Sequence, residues 1–201
     1  MKSVEFDHNQ WIYEEVIISS ISAQNELLNP VEIYDCEIHH AQLSAATLRR
    51  WVFENCIFKD CDLSNVIFDQ CIFQNSLFDG CRLIGSNWSR STQMNLHVQF
   101  INSNLSLSNF TQVDCSKVIF KNSMCMNVDF SGSKLMDSVF TNTSIKGSIF
   151  EETDLSGADL VGALEDPFDL HHTRLKGATI SLTTAIRLIE SQGIKVQAVT
   201  K

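Results

Sequence analysis

An apolar residue returns at every fifth position between Val31 and Leu182, as in CIFKD CDLSN VIFDQ CIFQN SLFDG and again in TDLSG ADLVG. A period of five fits neither the 3.6-residue turn of an amphipathic helix nor the two-residue alternation of a strand. It therefore marks a structural repeat, which takes precedence over local propensity.

Twelve pentads run from Val31 to Arg90, and all their central residues, from Ile33 and Phe53 to Leu83 and Trp88, are large and apolar. Two places before each centre stands a small residue, such as Cys36, Ala41, Cys56 or Ser86, with Trp51 the exception. Ser91 to His97 interrupt the pattern, and it resumes at Val98 two positions out of register. Seventeen further pentads reach Leu182, where Cys115, Cys125 and Glu165 replace the usual large centre. One large and one small inward position per pentad describe a chain winding around a narrow axis that cannot hold two bulky side chains at one level. The turns need residues that tolerate positive φ. Seven of the eight glycines stand two places after a centre, as do Asn55, Asn65, Asn75, Asn102, Asn122, Asn127 and Asn142.

Residues 1–30 keep the spacing only loosely, and a strand-like or irregular cap that covers the first coil is expected there. Residues 183–201 change character. Ser181 or Thr183 can cap a short helix with Leu182, Ala185, Ile186 and Ile189 on one face, Gly193 ends it, and Ile194-Lys195-Val196 reads as a final strand. The apolar residues of this segment, Leu182, Ala185, Ile186, Ile189, Ile194 and Val196, either cap the last coil or form a two-fold dimer contact.

The formal net charge of −9 disfavours direct binding to nucleic acid or to an anionic membrane; it can attract a basic partner or serve only to keep the chain soluble. No apolar run approaches a membrane span, and no basic-then-apolar leader opens the sequence, so a cytoplasmic protein is expected. The seven cysteines contain no CxxC pair and all fall at inward positions, where they read as small core residues. His39-His40 and His171-His172 are outward neighbours that diverge rather than chelate. No carboxylate pair flanks a nucleophile, and neither a P-loop nor a dinucleotide fingerprint is present. No catalytic, cofactor-binding or metal site is expected, and the protein is read as no enzyme.

ADLVG at 158–162, an instance of A(D/N)LxG, and the looser copy SNFTQ at 108–112 resemble the pentapeptide-repeat proteins. The resemblance covers Val31 to Leu182 and implies an all-β fold, a right-handed quadrilateral parallel β-helix with four pentads per coil. Faces then repeat every 20 residues. On that spacing Asp129, Glu151, Glu152 and Asp169 share a face without one lysine or arginine. Asp60 and Asp79 belong to a second acidic group and Glu32, Asp35 and Glu54 to a third, while Arg49, Arg50 and Arg90 share another face. Asp immediately before a centre, as at Asp62, Asp129, Asp154, Asp159 and Asp169, can instead serve the turn; Glu151, Glu152, Asp60, Asp79 and Asp137 fall outside that habit.

The length, the near-uninterrupted rod, the acidic surface and the ending SLTTAIRLIESQGIKV resemble the topoisomerase-protecting members of the family. These are the Qnr and MfpA proteins and the albicidin and microcin immunity proteins. The resemblance implies a homodimeric rod that mimics duplex DNA, binds gyrase or topoisomerase IV and relieves a poison. Qnr proteins usually carry two projecting loops. Here only Ser91 to His97 and the weak pentads around Glu165-Asp166-Pro167-Phe168 break the helix, which leans towards a loop-less immunity-type member. The alternative is a non-enzymatic scaffold or effector module with an unrelated protein partner.

Overall fold

The computed structural model describes residues 1–7, 9–92, 96–163 and 172–197. In chain order its first strands are β1 (Lys2–Val4), β2 (Ile12–Glu14), β3 (Val16–Ile18), β4 (Leu27–Leu28) and β5 (Glu32–Tyr34). Then come β6 (Glu37–His39), β7 (Thr47–Arg49), β8 (Val52–Glu54), β9 (Ile57–Lys59) and β10 (Ile67–Asp69). The last elements are β11 (Ile72–Gln74), β12 (Ser76–Asp79), β13 (Val98–Ile101), β14 (Ile119–Lys121) and the helix α1 (Leu182–Ser191). Every strand pairs in parallel with one from the neighbouring coil, and beyond β14 the coils are joined by single parallel bridges such as Asp129 to Ile149. The right-handed four-sided parallel β-helix implied by the resemblance is the fold.

Each coil visits four faces, numbered here in the order of the chain. Face I carries β2, β5, β8 and β11, face II the seven strands from β1 to β14, face III only bridges, and face IV β4, β7 and β10. The centres stack inside these faces. On face II Phe58 and Phe78 lie 4.4 Å apart, Phe78 and Phe100 5.2 Å, and Phe120 and Phe140 4.7 Å, all near-parallel. On face IV Trp88, Phe110, Phe130 and Phe150 stack at 5.2–5.4 Å, and the two columns meet edge to face, as at Phe110 and Phe120. Stacked and T-shaped pairs each add about 0.5–1.5 kcal/mol beyond area burial. A continuous aromatic double column therefore contributes much of the axial cohesion.

The small positions do more than make room. Their hydroxyl or thiol donates to the carbonyl of a centre in the coil below, as in Cys56 Sγ to Ile33 O (3.2 Å) and Thr153 Oγ1 to Phe130 O (2.8 Å). All seven cysteines are buried free thiols, and burial pushes those of Cys56 and Cys71 up to about 12, far from a thiolate at neutral pH.

Three regions differ from the sequence reading. Residues 11–30 are a full coil rather than a cap: Tyr13 pairs with Ile33, Ile18 with Ile38 and Leu28 with Leu48. Only the segment before Trp11 caps the rod end, where the Phe6 ring stacks on both Tyr13 and Trp51. The interruption is smaller than Ser91 to His97. Ser91 is buried in the small column, Thr92 donates to Cys71 O, and Leu96, 3% exposed, donates its N–H to Asp114 O as a centre does. The extra residues thus fall between Thr92 and Leu96. At the C-terminus Ser181 Oγ caps α1 by accepting the Thr184 N–H at 3.1 Å, and Gly193 (φ 78°) ends it. Leu188 is the residue that α1 buries, and residues 194–197 form no strand, leaving Ile194 and Val196 exposed.

Candidate partner-binding surfaces

Which charges share a face depends on the offset at the interruption. Phe78 pairs with Phe58 below and Phe100 above, and Asn87 bridges Ile67 below and Asn109 above, so one coil takes 22 residues where its neighbours take 20. Faces II, III and IV continue through the break.

Face IV consequently carries two opposed charges along its length. Its lower part presents Arg49, Arg50 and Arg90. Arg49 Nε lies 2.8 Å and Arg90 Nη2 3.1 Å from the carboxylate oxygens of Asp69, and Arg50 Nε donates to Gln70 Oε1 at 2.9 Å. Its upper part presents Asp129, Glu151 and Glu152, with neutral Asn109, Thr111 and Gln112 between. Glu151 and Glu152 are exposed. Asp129 has a second task, because its Oδ1 accepts the Ser131 N–H at 2.9 Å and closes the local turn. Asp62, Asp154 and Asp159 do the same for Ser64, Ser156 and Val161. Asp169 lies outside the described residues, as does His171.

Asp60 and Asp79 follow face II and so lie across the rod from face IV. The Asp60 N–H donates to Asp79 O at 3.0 Å, and Asp79 Oδ1 accepts from Asn102 Nδ2. Lys59 pairs with Asp79 across the strands and holds Glu37 at 2.6 Å. That ammonium, with His39, keeps the Glu37 carboxyl below the ordinary carboxylate range. The six carboxylates singled out from the sequence therefore do not form one surface.

The densest acidic surface stands on the lower part of face I. Glu14, Glu15, Tyr34, Asp35 and Glu54 line one shallow groove with Glu32 beside it, and Tyr34 Oη donates to Glu32 Oε2 at 3.0 Å, which raises the phenol's pKa. No lysine or arginine stands among them. Glu14 and Glu15 lie outside the acidic groups that the sequence suggests, because the pentad spacing is loose over residues 1–30; in register, Glu14 pairs with Tyr34. Higher on face I the charges alternate and cancel: Lys134 lies 3.2 Å from Asp114, and Arg174 3.6 Å from Asp154. Burial raises the Asp114 pKa, but bonds from Ser116 and Lys134 outweigh it and the net shift is downward; Ser156 and then Arg174 lower that of Asp154.

At the far end α1 turns its residues two ways. Leu188 packs on the core, Ala185 and Ile186 are half-buried, and Leu182 (78%) and Ile189 (41%) face outward. Leu182, Ile186 and Ile189 are spaced by four and three residues and so share a helix face. Among the described residues no group of three or more His, Cys, Asp or Glu is placed to hold a metal ion, and no helix is long and apolar enough to cross a membrane.

Residues 31–97 match the family model for a pentapeptide repeat region, and residues 125–163 match that for pentapeptide repeats in eight copies; together they span just over half of the chain. No curated protein matches the sequence significantly. Among solved structures, a trypsin-treated variant of QnrB1, a plasmid-mediated fluoroquinolone resistance protein, superposes with a TM-score of 0.70 at 19% identity, over 90% of this chain and 100% of that one. Full-length QnrB1 gives 0.61 at 20% identity, over 94% and 95% of the two chains. At such identity the likeness is one of fold.

Proposed function

Because the chain belongs to the pentapeptide-repeat family, we propose that it is a non-enzymatic protein that binds a type II topoisomerase, gyrase or topoisomerase IV, as a mimic of duplex DNA and protects it from a poison. The observation that carries this reading is a four-sided rod whose upper face IV sets Asp129, Glu151 and Glu152 in successive coils with no cation among its described residues above Arg90. The likeness of the rod to QnrB1 supports the same class of partner.

Charge alone does not suffice for the mimicry. Three carboxylates over two coils, roughly 10 Å at about 4.8 Å per coil, compare with about six phosphates over the same length of duplex at one per ~1.7 Å. Rod shape therefore contributes to recognition, while the carboxylates steer and orient it, with an attraction that weakens with salt. By its spacing in the sequence Asp169 shares the face of Asp129, Glu151 and Glu152, whereas Asp60 and Asp79 belong to the proposed contact only if the enzyme wraps more than one face. The outward side of α1, with Leu182, Ala185, Ile186, Ile189, Ile194 and Val196, is proposed to pair two rods end to end around a two-fold axis. On this reading the protein acts in the cytoplasm, where its partner enzyme works.

A supercoiling assay with purified gyrase and a decatenation assay with purified topoisomerase IV test the reading. Low doses of the protein are expected to restore activity in the presence of a fluoroquinolone or a peptide toxin, and high doses to inhibit; no effect on either enzyme ends the proposal. Glu151→Lys with Glu152→Lys should weaken the effect about tenfold or more. Leu182→Glu with Ile189→Glu leaves Leu188 in place and should yield a monomer by light scattering.

A further inference from the structure

The rod begins with an open strand edge. β2 is the outermost strand of its sheet, paired only with β5 in the register Ile12 to Glu32, Tyr13 to Ile33 and Glu14 to Tyr34. In a parallel ladder alternate residues point their amide groups to opposite sides. Trp11 O accepts from Glu32 and the Glu15 N–H donates to Tyr34 O, so those groups face β5. The N–H of Ile12 and the N–H and C=O of Glu14 face outward, while the Ile12 carbonyl is taken by Gln10 Nε2 at 2.6 Å. Such an edge is a template for another strand.

Its side chains specify what could add. Trp11 is 76% and Ile12 49% exposed, whereas Trp51 and Trp88 are fully buried. Trp11 stands in the small-residue column beneath Val31, yet its ring points out while Phe6 packs at that corner of the axis beside Val31 and Trp51. Next to this apolar pair lie Glu14, Glu15, Glu32, Asp35 and Glu54, uncompensated on the face. Ile12 and Glu14 are two apart and project to the same side, so an added strand meets an apolar position and then an acidic one.

We propose that this edge is a docking site for an extended segment of a partner protein that carries lysine or arginine and an apolar residue on the same side, and that adds to β2 as a further strand. Backbone pairing gives the strand its place, and Trp11, Ile12 and the carboxylates give it its preference. Charge argues against a second copy as the occupant, because pairing β2 with its mate sets Glu14 and Glu15 against identical carboxylates. The proposal does not depend on the topoisomerase reading, since it concerns the opposite end of the rod from α1 and a face other than IV.

The test uses the full chain and a synthetic octapeptide, acetyl-TVTKTKTV-amide, followed by tryptophan emission, which reports Trp11 because the other two indoles are already buried. A saturable blue shift that weakens with added salt is expected. It should vanish when both lysines are replaced by glutamate, and binding should weaken about tenfold in Glu14→Lys. Ile12→Pro removes an outward N–H without touching the bonds to β5 and should abolish binding. A peptide methylated on alternate backbone nitrogens keeps every side chain and charge but cannot pair; it should fail, and it serves if Ile12→Pro disturbs the first coil. No shift with the lysine peptide, equal binding of the glutamate peptide, or full binding of the methylated one overturns the proposal.

Discussion

The rod below Ser91 and the rod above Val98 have the same backbone path but hold their corners differently. Below, corners mostly follow a strand, as after β8, β9 and β11, and carry αL residues such as Asn55, Asp60 and Asn75 at φ near 50°. Above, most corners are closed by a hydrogen bond from the next small residue to the centre, as in Ser133 N to Phe130 O (3.0 Å) and Ala158 N to Leu155 O (3.0 Å). The residue before the centre tells them apart. Ile and Val there, at 52, 57, 67 and 72, favour extended backbone, whereas Asn104, Asn109, Asp114, Asp129 and Asp154 bond the N–H two residues on and tighten the turn. A turn of type II needs φ near +80° at its third residue, which explains why five of the corner glycines, from Gly132 to Gly177, stand above the break at 66–79°.

The largest effect should ignore this difference. Phe58→Ala below and Phe120→Ala above each remove one ring from the face II column and should each cost about 3–5 kcal/mol by urea denaturation. If one costs far less than the other, the aromatic column is not the common frame of the two halves.

Glycine substitution should separate them. At Gly147 a Cβ meets Asn127 Oδ1 of the coil below, and φ is 70°. Gly147→Ala should cost about 1–3 kcal/mol, and the loss should shrink when combined with Asn127→Ala, which relieves the collision but not the φ penalty. In the lower half Ala45 already occupies positive φ (56°) in the same column, so Ala45→Gly should change stability by less than about 1 kcal/mol.

How far these corners were legible depended on the rule being readable. The centres, the small column and the αL positions could be read because each has one dominant chemistry. The first coil was hidden by Trp11 and Glu26, which occupy small-column places with large side chains. Leu96 was hidden because the insertion precedes it within the same pentad. The sharing of face IV by Arg49, Arg50 and Arg90 with Asp129, Glu151 and Glu152 could not be read at all, since it turns on whether the irregular coil takes 20 or 22 residues. In α1 the 3.6-residue period was legible but not its phase: Leu188, unmarked by the spacing, lies against the core while Leu182 and Ile189 face out.

The acidic turns offer a medium-sized test that also separates structure from binding. Asp129→Ala should cost about 1 kcal/mol by leaving the Ser131 N–H unmet, whereas Asp129→Asn keeps an acceptor and should leave stability nearly unchanged. Weaker topoisomerase binding in Asp129→Asn would then report charge. Acid should also act at the Asp114 and Asp154 turns above the break, as it should at Glu37 below it. The folded pKa values of Asp114 and Asp154 lie below the ordinary value, so their stabilisation is complete above about pH 4 and is lost as pH falls through the lower, folded values. Amide exchange between pH 4 and 2 should therefore quicken around Ser116 and Ser156 before it does around Asn55.

The smallest effect concerns the donors that both halves share. Below the break the small column uses thiols, as in Cys61 Sγ to Ile38 O (3.3 Å) and Cys71 Sγ to Leu48 O (3.2 Å); above it uses hydroxyls, as in Ser123 Oγ to Phe100 O (3.2 Å) and Thr143 Oγ1 to Phe120 O (3.0 Å). A hydroxyl donates more strongly than a thiol but is smaller and costs more to desolvate, so the exchange nearly cancels. Cys71→Ser should shift stability by less than about 1 kcal/mol, and Ser123→Cys by a similar amount. Ser76 already makes the bond, to Phe53 O, within the thiol half, which shows that the lower coils admit a hydroxyl there. Cys71→Val keeps the volume but removes the donor, and leaves Leu48 O one bond poorer; it should therefore cost more than Cys71→Ser. The reverse order would mean that these thiols act in the column only as filler.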